Sequence, residues 1–179
     1  MTSNAAARKL LVSALWAATL GVSLLLSGCN MAYHPYQVAG SSMLPLLHPG
    51  DRILVDQSDK ARTDLQDGDI IVLRSKDGIV LKRILALPGE TISSDNRKVF
   101  RNGKQLDEPY LAPATGEGLP DLITFAPRTV NSGELFVMGD NRDRSADSRL
   151  PGYGPVRFSD VVGKYRWTYW FASSTRKQN

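Results

Sequence analysis

The sequence predicts a mainly β protein of antiparallel sheets, preceded by one N-terminal segment directed to a membrane. From Tyr33 onward, short runs of Ile, Val, Leu and aromatic residues alternate with Gly, Asp, Asn and Pro, which is typical of strands and turns. Residues 101–104 place an Asn-Gly pair between strand-like residues, a strong hairpin signal. No stretch after residue 33 keeps a helical period over three turns.

The strand-like runs divide the chain into regions. Residues 107–128 are rich in Pro and Gly and are predicted to form a small excursion between strands. We therefore expect a β domain over residues 38–179, joined by a linker at 29–37 to a targeting segment at 1–28. The predicted strands are RILVD (52–56), DIIVLRS (69–75), GIVLKRILAL (78–87), KVFRNGKQL (98–106), ELFVMGD (134–140) and WTYWFA (167–172).

An uncharged segment follows Arg8-Lys9 and lasts until Asp51. Its apolar run, residues 10–26, would form a helix of about 25 Å at a rise of 1.5 Å per residue. Uncharged residues 27–32 could extend it toward the roughly 30 Å of a bilayer core. Positive charge before the run predicts that the N-terminus lies inside and the remainder outside. The alternative is a buried helix of a soluble protein.

Cys29 leaves two forms of membrane attachment open. Leu26-Ser27-Gly28-Cys29 resembles a bacterial lipobox, in which the signal is cut before a lipid-modified cysteine. The other possibility is an uncleaved transmembrane anchor, with Cys29 a chance small residue at its outer end. Both predict a domain outside the cytoplasm that is tethered to a membrane. Because Cys29 is the single cysteine, it excludes an intramolecular disulfide and a cysteine-based metal cluster.

Composition narrows the classes of partner. The 179 residues suffice for one ordinary domain and a short targeting segment. The chain has 22 basic and 18 acidic residues, and two of the basic residues, Arg8 and Lys9, lie in the N-terminal segment. The near balance of the remainder argues against nucleic acid as a partner, because nucleic acid requires a concentrated basic surface.

Ser42 is a candidate nucleophile, and a serine nucleophile needs an adjacent base. Lys82 lies in an apolar predicted strand, where it shares a face with Val80 and Ile84. Its long side chain could reach water, or it could be desolvated, which would lower its pKa and leave the amine able to act as a base. The histidines, His34 and His48, allow a histidine triad, but the serine–lysine pair fits the residues better.

A polar segment from Gly139 to Arg149 follows the last apolar predicted strand before it. Its acidic residues could indicate a calcium loop, but three arginines argue against that interpretation. A network of Asp–Arg pairs that fixes the loop fits better.

Together these segments resemble the successive boxes of bacterial type I signal peptidases. The matching residues are Gly40 to Pro45, Asp67 to Val72, Leu81 to Arg83 with Leu87 to Glu90, and Gly139 to Arg149. They occur in family order between about Val38 and Val162, and the last box is long and specific. The resemblance implies a signal-peptidase-like β fold and a serine endopeptidase that needs no cofactor or metal. Its substrates would be preproteins of a Sec-type export pathway, cut after Ala-X-Ala.

The resemblance also implies a role for individual residues. Ser42 would attack the scissile carbonyl, and Lys82 would take the serine proton. Ser145 would hold the lysine amine in line, and the Asp147–Arg149 pair would brace that loop.

Gly139 belongs to the same supporting loop, and the Ser42 N–H would form part of the oxyanion hole. Gly40 occupies the position where many family members have a hydroxyl residue as a second donor, so the hole is one expected donor short. Apolar residues would shape shallow pockets for small substrate side chains: Val38, Met43, Leu47 and Val80.

Two alternative functions follow from the same residues. Only the residues between Gly89 and Glu134 are available for a second domain, which is smaller than in larger relatives. The small second domain and the lipobox would suit a specialised second signal peptidase with few substrates. A membrane-tethered protein that binds signal peptides without cutting them is the other alternative. In each case the expected partners are signal peptides and membrane lipid.

Overall fold

The computed structural model describes residues 32–76, 78–111 and 124–172. Within these ranges no helix has the length and apolar character required to span a membrane. The predicted segment 1–28 and the lipidation candidate Cys29 lie outside the described residues.

Within these ranges eleven strands form two antiparallel sheets, which confirms the predicted mainly β fold. The larger sheet has seven strands in the order β1-β2-β11-β3-β4-β9-β10, and the smaller has four in the order β7-β6-β5-β8. The strands are β1 (Tyr33–Gln37), β2 (Arg52–Asp56), β3 (Ile70–Ser75), β4 (Gly78–Ala86), β5 (Thr91–Asp95), β6 (Lys98–Arg101), β7 (Lys104–Gln105), β8 (Phe125–Thr129), β9 (Glu134–Met138), β10 (Val156–Arg157) and β11 (Val161–Trp170). One short helix, α1 (Asp59–Thr63), and two 3-10 helices, Arg142–Arg144 and Phe158–Asp160, complete the described elements.

The larger sheet is covered on both faces where its strands are most apolar. In β3, Ile70 and Val72 pack into one cluster with Val38 and Met43. The alternate residue Ile71 packs into a second cluster on the other face. This double burial explains why the strand is a continuous apolar run rather than an alternating one.

The smaller sheet packs against β4 and β9 of the larger one. Its core joins Ile92 and Phe125 of the smaller sheet to Leu85 and Phe136 of the larger. The predicted hairpin is present, because Asn102 and Gly103 both have positive φ between β6 and β7. The smaller sheet is therefore fixed to the strand that carries Lys82.

Two regions differ from their sequence-based description. Residues 33–37, expected as part of a linker, form the edge strand β1, which pairs with β2 over its whole length. Residues 125–129, expected at the end of the excursion and just beyond it, form β8, an edge strand that pairs with β5. Pro35 and Pro127 lie in these two strands, and an edge strand tolerates a residue that lacks an N–H.

Candidate active site

Ser42 lies in a loop between β1 and β2 whose ends are tied together. Val38 donates its N–H to the Asp51 carbonyl at 2.8 Å, and Gly50 donates to the Val38 carbonyl at 2.7 Å. Asn141, from the loop after β9, donates its backbone N–H to the Ser42 carbonyl at 2.9 Å. Its side-chain amide also donates to the Ser41 carbonyl at 3.2 Å. The turn that holds Ser42 is thus attached to the Gly139–Arg149 loop.

Lys82 lies in the middle of β4 and is 3% exposed. Its Nζ is 3.1 Å from Ser42 Oγ, within the range for direct proton transfer between a base and a hydroxyl. Burial lowers the pKa of Lys82; the nearby Asp147 carboxylate raises it and the Arg149 guanidinium lowers it. The net lowering favours the neutral amine, which is the form that accepts a proton.

The loop from Gly139 to Arg149 is held by internal hydrogen bonds. Arg149 donates to both oxygens of the Asp147 carboxylate, at 2.8 and 3.0 Å, and both side chains are buried. The Gly139 N–H donates to the same carboxylate at 3.0 Å. Ser148 donates its N–H to the Val137 carbonyl and accepts the Val137 N–H on its hydroxyl. Asp147 and Arg149 thus form a buried ion pair with two contacts inside the loop.

Ser145 is buried in this loop, 3% exposed, close to Gly139. A Cβ added at Gly139 would lie 2.3 Å from Ser145 Oγ and 2.5 Å from the Ser42 carbonyl. Only glycine therefore allows this close approach. The Ser145 hydroxyl makes no hydrogen bond within the described residues, so its predicted contact with the Lys82 amine stays a prediction.

A cavity of about 180 Å³ adjoins Ser42. Of the residues predicted to shape a pocket, Val38, Met43 and Val80 line it, as does Gly40. Leu47 is buried in the cluster that holds Met43 and is not among the lining residues. The remaining lining is mostly apolar and consists of Tyr36, Gln37, Ala39, Val72, Ile79 and Leu81.

Among the described residues neither histidine side chain forms a hydrogen bond with the Ser42 hydroxyl. His34 is exposed on β1, and His48 donates its backbone N–H to Asp51 at 2.9 Å. Lys82 is the basic side chain in hydrogen-bond contact with the Ser42 hydroxyl.

Sequence reasoning missed how Arg83 and Asp140 support the site. Arg83 donates to both oxygens of the Asp140 carboxylate, at 2.9 and 2.7 Å, and both side chains are buried. This pair joins β4 to the start of the polar loop. A cation beside Lys82 in an apolar strand was a signal of a buried partner, but nothing in the sequence indicated which carboxylate it was.

Comparison with known proteins identifies the family. The family model described as signal peptidase, peptidase S26, matches residues 10–170. Signal peptidase I S of Bacillus subtilis is 36% identical over 183 aligned residues, which cover 99% of each chain. The chain belongs to the signal peptidase family.

One further relative agrees with this assignment to the peptidase family. Signal peptidase I U of Bacillus subtilis is 39% identical over 136 residues, 73% of this chain and 72% of the relative. A signal peptidase I from Enterococcus faecalis of known structure is 34% identical and covers 56% of this chain and 95% of its own, with a TM-score of 0.46.

Proposed function

We propose that this protein is a membrane-anchored serine endopeptidase that removes N-terminal signal peptides from exported preproteins, cutting after Ala-X-Ala. The observation that carries the proposal is the 3.1 Å contact between Ser42 Oγ and the buried amine of Lys82. A desolvated lysine within reach of a serine hydroxyl is the arrangement that serine–lysine chemistry requires.

In the proposed reaction Ser42 Oγ attacks the scissile carbonyl while its proton passes to the neutral Lys82 amine. The resulting ammonium then donates that proton to the leaving amine, and an acyl ester remains on Ser42. A water molecule attacks the ester, Lys82 takes a proton from the water, and Ser42 is released with its proton restored. The Ser42 N–H stabilises the oxyanion at each tetrahedral stage.

Four loop residues are proposed to position this pair. Asp147, bonded to Arg149 and Gly139, faces Lys82 as a fixed counter-charge. Ser145 is proposed to hold the lysine amine in line. Leaving a buried hydroxyl unpaired costs about 1–3 kcal/mol, so a buried serine without a partner is better explained by a role during catalysis than by stability.

The cavity beside Ser42 supports the preference for small substrate side chains. Its apolar lining by Val38, Met43 and Val80 suits alanine and leaves charged side chains without a partner. Leu47 is proposed to support Met43 from behind. An extended substrate would add as a strand against the segments near Val38 and Lys82, along the part of β4 before Arg83 that pairs with β3 and not with β9. Main-chain hydrogen bonds would provide affinity.

A surface of exposed aromatic residues supports a position beside membrane lipid. Trp167 contacts Tyr33 with ring centroids 5.7 Å apart, and Tyr169, Trp170 and Phe171 follow it in the chain. Amphipathic aromatic rings favour the membrane–water interface. We place the domain on the outer face of a bacterial membrane, held by residues 1–28 or by a lipid on Cys29, and receiving substrates from a Sec-type pathway.

A specialised second signal peptidase is the other candidate function. The observation that favours it is the small size of the second sheet, whose four described strands are all short. Complementation of a strain depleted of its housekeeping signal peptidase separates the two: growth supports the general role, and failure to grow despite cutting in vitro supports the specialised one.

The test of the activity uses the full-length protein in detergent with a purified preprotein that carries Ala-X-Ala. We expect one cut, located by the N-terminal residue of the product, and no cut by Ser42→Ala or Lys82→Ala. Wild-type protein that binds the preprotein without cutting it would favour the non-catalytic alternative.

A further inference from the structure

Glu108 joins the segment that leaves the smaller sheet to the polar loop beside Lys82. The side chains of Glu108 and Arg142 are only 6% and 8% exposed, and two guanidinium nitrogens of Arg142 contact the Glu108 carboxylate. The Tyr110 hydroxyl donates to the same carboxylate at 2.9 Å. A buried arginine–carboxylate pair with two contacts fixes direction as well as distance.

Arg142 also forms hydrogen bonds with two residues that contact Asp147. Its Nε donates to the Gly139 carbonyl at 3.2 Å, and its own carbonyl accepts from Arg149 at 2.8 Å. Gly139 and Arg149 both donate to the Asp147 carboxylate. Glu108 is therefore connected to the counter-charge of Lys82 through a short series of hydrogen bonds.

The same segment also contacts the strand that carries Lys82. The Tyr110 ring lies under the Arg83 guanidinium, 3.9 Å from it, and Arg83 is paired with Asp140 at the start of the loop. Residues 108–110 thus touch both β4 and the polar loop, the two elements that must stay in register for Lys82 to meet Asp147 and Ser145.

We propose that Glu108 is a positioning residue, which holds Arg142 and through it the loop that presents Ser145 and Asp147 to Lys82. The inference rests on the proposed function, because it assigns Glu108 a part in the same reaction. Without Glu108, Arg142 becomes a buried cation with no carboxylate at that position, and the loop must move to hydrate it.

Loss of Glu108 would affect Lys82 through the position of the loop and not through the charge of Glu108 itself. The groups that face Lys82 and change its pKa are Asp147 and Arg149, and Glu108 is not one of them. A loop that opens to water removes part of the burial that lowers the pKa of Lys82. The acidic limb of the kcat/KM profile then moves to higher pH, because more alkaline solution is needed to deprotonate the amine.

The experiment compares Glu108→Ala, Glu108→Gln and Asp56→Asn in full-length protein that cuts an Ala-X-Ala preprotein. Glutamine keeps an oxygen acceptor for Arg142. Asp56 is the matched control, since its side chain is 7% exposed and pairs with Arg166 at 2.7 Å on strands β2 and β11. Melting temperature, kcat, KM and the pH profile are measured for each variant.

We expect Glu108→Ala to lower kcat by about 10²-fold, the cost of a misplacement near 1 Å, with KM within about twofold and the acidic limb at higher pH. Glu108→Gln should recover most of kcat, and Asp56→Asn should lower the melting temperature without moving the limb. An unchanged kcat and limb in Glu108→Ala would overturn the proposal, as would an Asp56→Asn variant with the same kinetic defect.

A second readout does not depend on cutting. Competitive acetylation of Lys82 across pH, followed by mass spectrometry of its peptide, reports the amine directly. If the wild type cuts no preprotein, the proposed function fails. A shift of the Lys82 labelling curve in Glu108→Ala, but not in Asp56→Asn, would still support the positioning role, and no shift would overturn it.

Discussion

Lys82 is the first residue of the buried part of its strand, and that burial affects the pH at which its amine can accept a proton. Burial disfavours the ammonium form and lowers the pKa of Lys82 below the usual lysine value of about 10.4. We expect kcat/KM to rise with pH as the neutral amine forms, with this limb at lower pH than an ordinary lysine would give. Initial rates on an Ala-X-Ala preprotein at constant ionic strength measure it. A limb at the ordinary lysine pKa would show that Lys82 is not desolvated.

Gly40 is the position where the family resemblance leaves the proposed oxyanion hole one expected donor short. A Cβ there would meet nothing within 4 Å, so a side chain fits without displacing a neighbour. We expect Gly40→Ser to raise kcat by about tenfold, less than the 10²–10³-fold effect of a preorganised donor. Gly40→Ala adds the same Cβ without the hydroxyl and is the control. Equal rates for the two variants would mean that position 40 does not face the oxyanion.

Gly139 provides the closest approach in the site. An alanine Cβ would overlap Ser145 Oγ and the Ser42 carbonyl, at 2.3 and 2.5 Å. We expect Gly139→Ala to destabilise the fold by about 1–3 kcal/mol through overpacking and to abolish cutting.

The matched control is Gly152→Ala, because a Cβ at Gly152 meets nothing within 4 Å. Denaturant unfolding and cutting assays compare the two variants with the wild type. Wild-type cutting by Gly139→Ala would mean that Ser145 and Ser42 tolerate a wider separation than this site implies.

The polar loop after β9 is the element that assembles the site, and its Asp147–Arg149 pair is its main internal brace. Both side chains are almost fully buried. Arg149→Met would leave the Asp147 carboxylate buried with its principal partner removed, and we expect a loss of about 3–5 kcal/mol in the free energy of unfolding.

An exposed ion pair provides the control for Arg149→Met. Arg62 and Asp59 in α1 have side chains 44% and 94% exposed, and Arg62→Met should change stability by less than about 1 kcal/mol. Denaturant unfolding monitored by tryptophan fluorescence measures both. Equal small losses would show that water reaches Asp147 in solution.

The strands that could be predicted from sequence were those formed by a run of apolar residues. RILVD at 52–56 matches β2, and the runs at 69–75 and 78–87 match β3 and β4 to within one residue. By contrast, β5 reads Thr-Ile-Ser-Ser-Asp, and only its Ile92 and Ser94 are buried. Its strand character comes from pairing with β6 and β8, which no local pattern reveals.

Site residues could be predicted where the residue type itself indicates a chemical role, such as a nucleophile or a base. The sequence predicts Ser42 as a nucleophile and Lys82 as a base, and the structure brings them together across 40 positions of sequence. Glu108 gave no signal, because an acidic residue in a Pro- and Gly-rich stretch is ordinary until its buried partner Arg142 is known. Long-range charge pairing of this kind depends on the tertiary fold.

The proposed attachment of the molecule to a membrane depends on residues 1–29, which lie outside the described residues. The intact mass and N-terminal residue of membrane-extracted protein separate the two forms of anchor. A start at Cys29 with a lipid adduct identifies a lipoprotein. An unmodified N-terminus before Cys29 excludes the lipoprotein.

The central claim is that Lys82 serves Ser42 as its base, and Lys82→Met tests it most directly. Methionine has a similar length and suits a buried site, so the variant should be at least as stable as the wild type at neutral pH. Its rate of cutting an Ala-X-Ala preprotein in single turnover should fall by more than about 10³-fold, because the serine proton has no acceptor. Cutting within tenfold of the wild-type rate by folded Lys82→Met would contradict the claim.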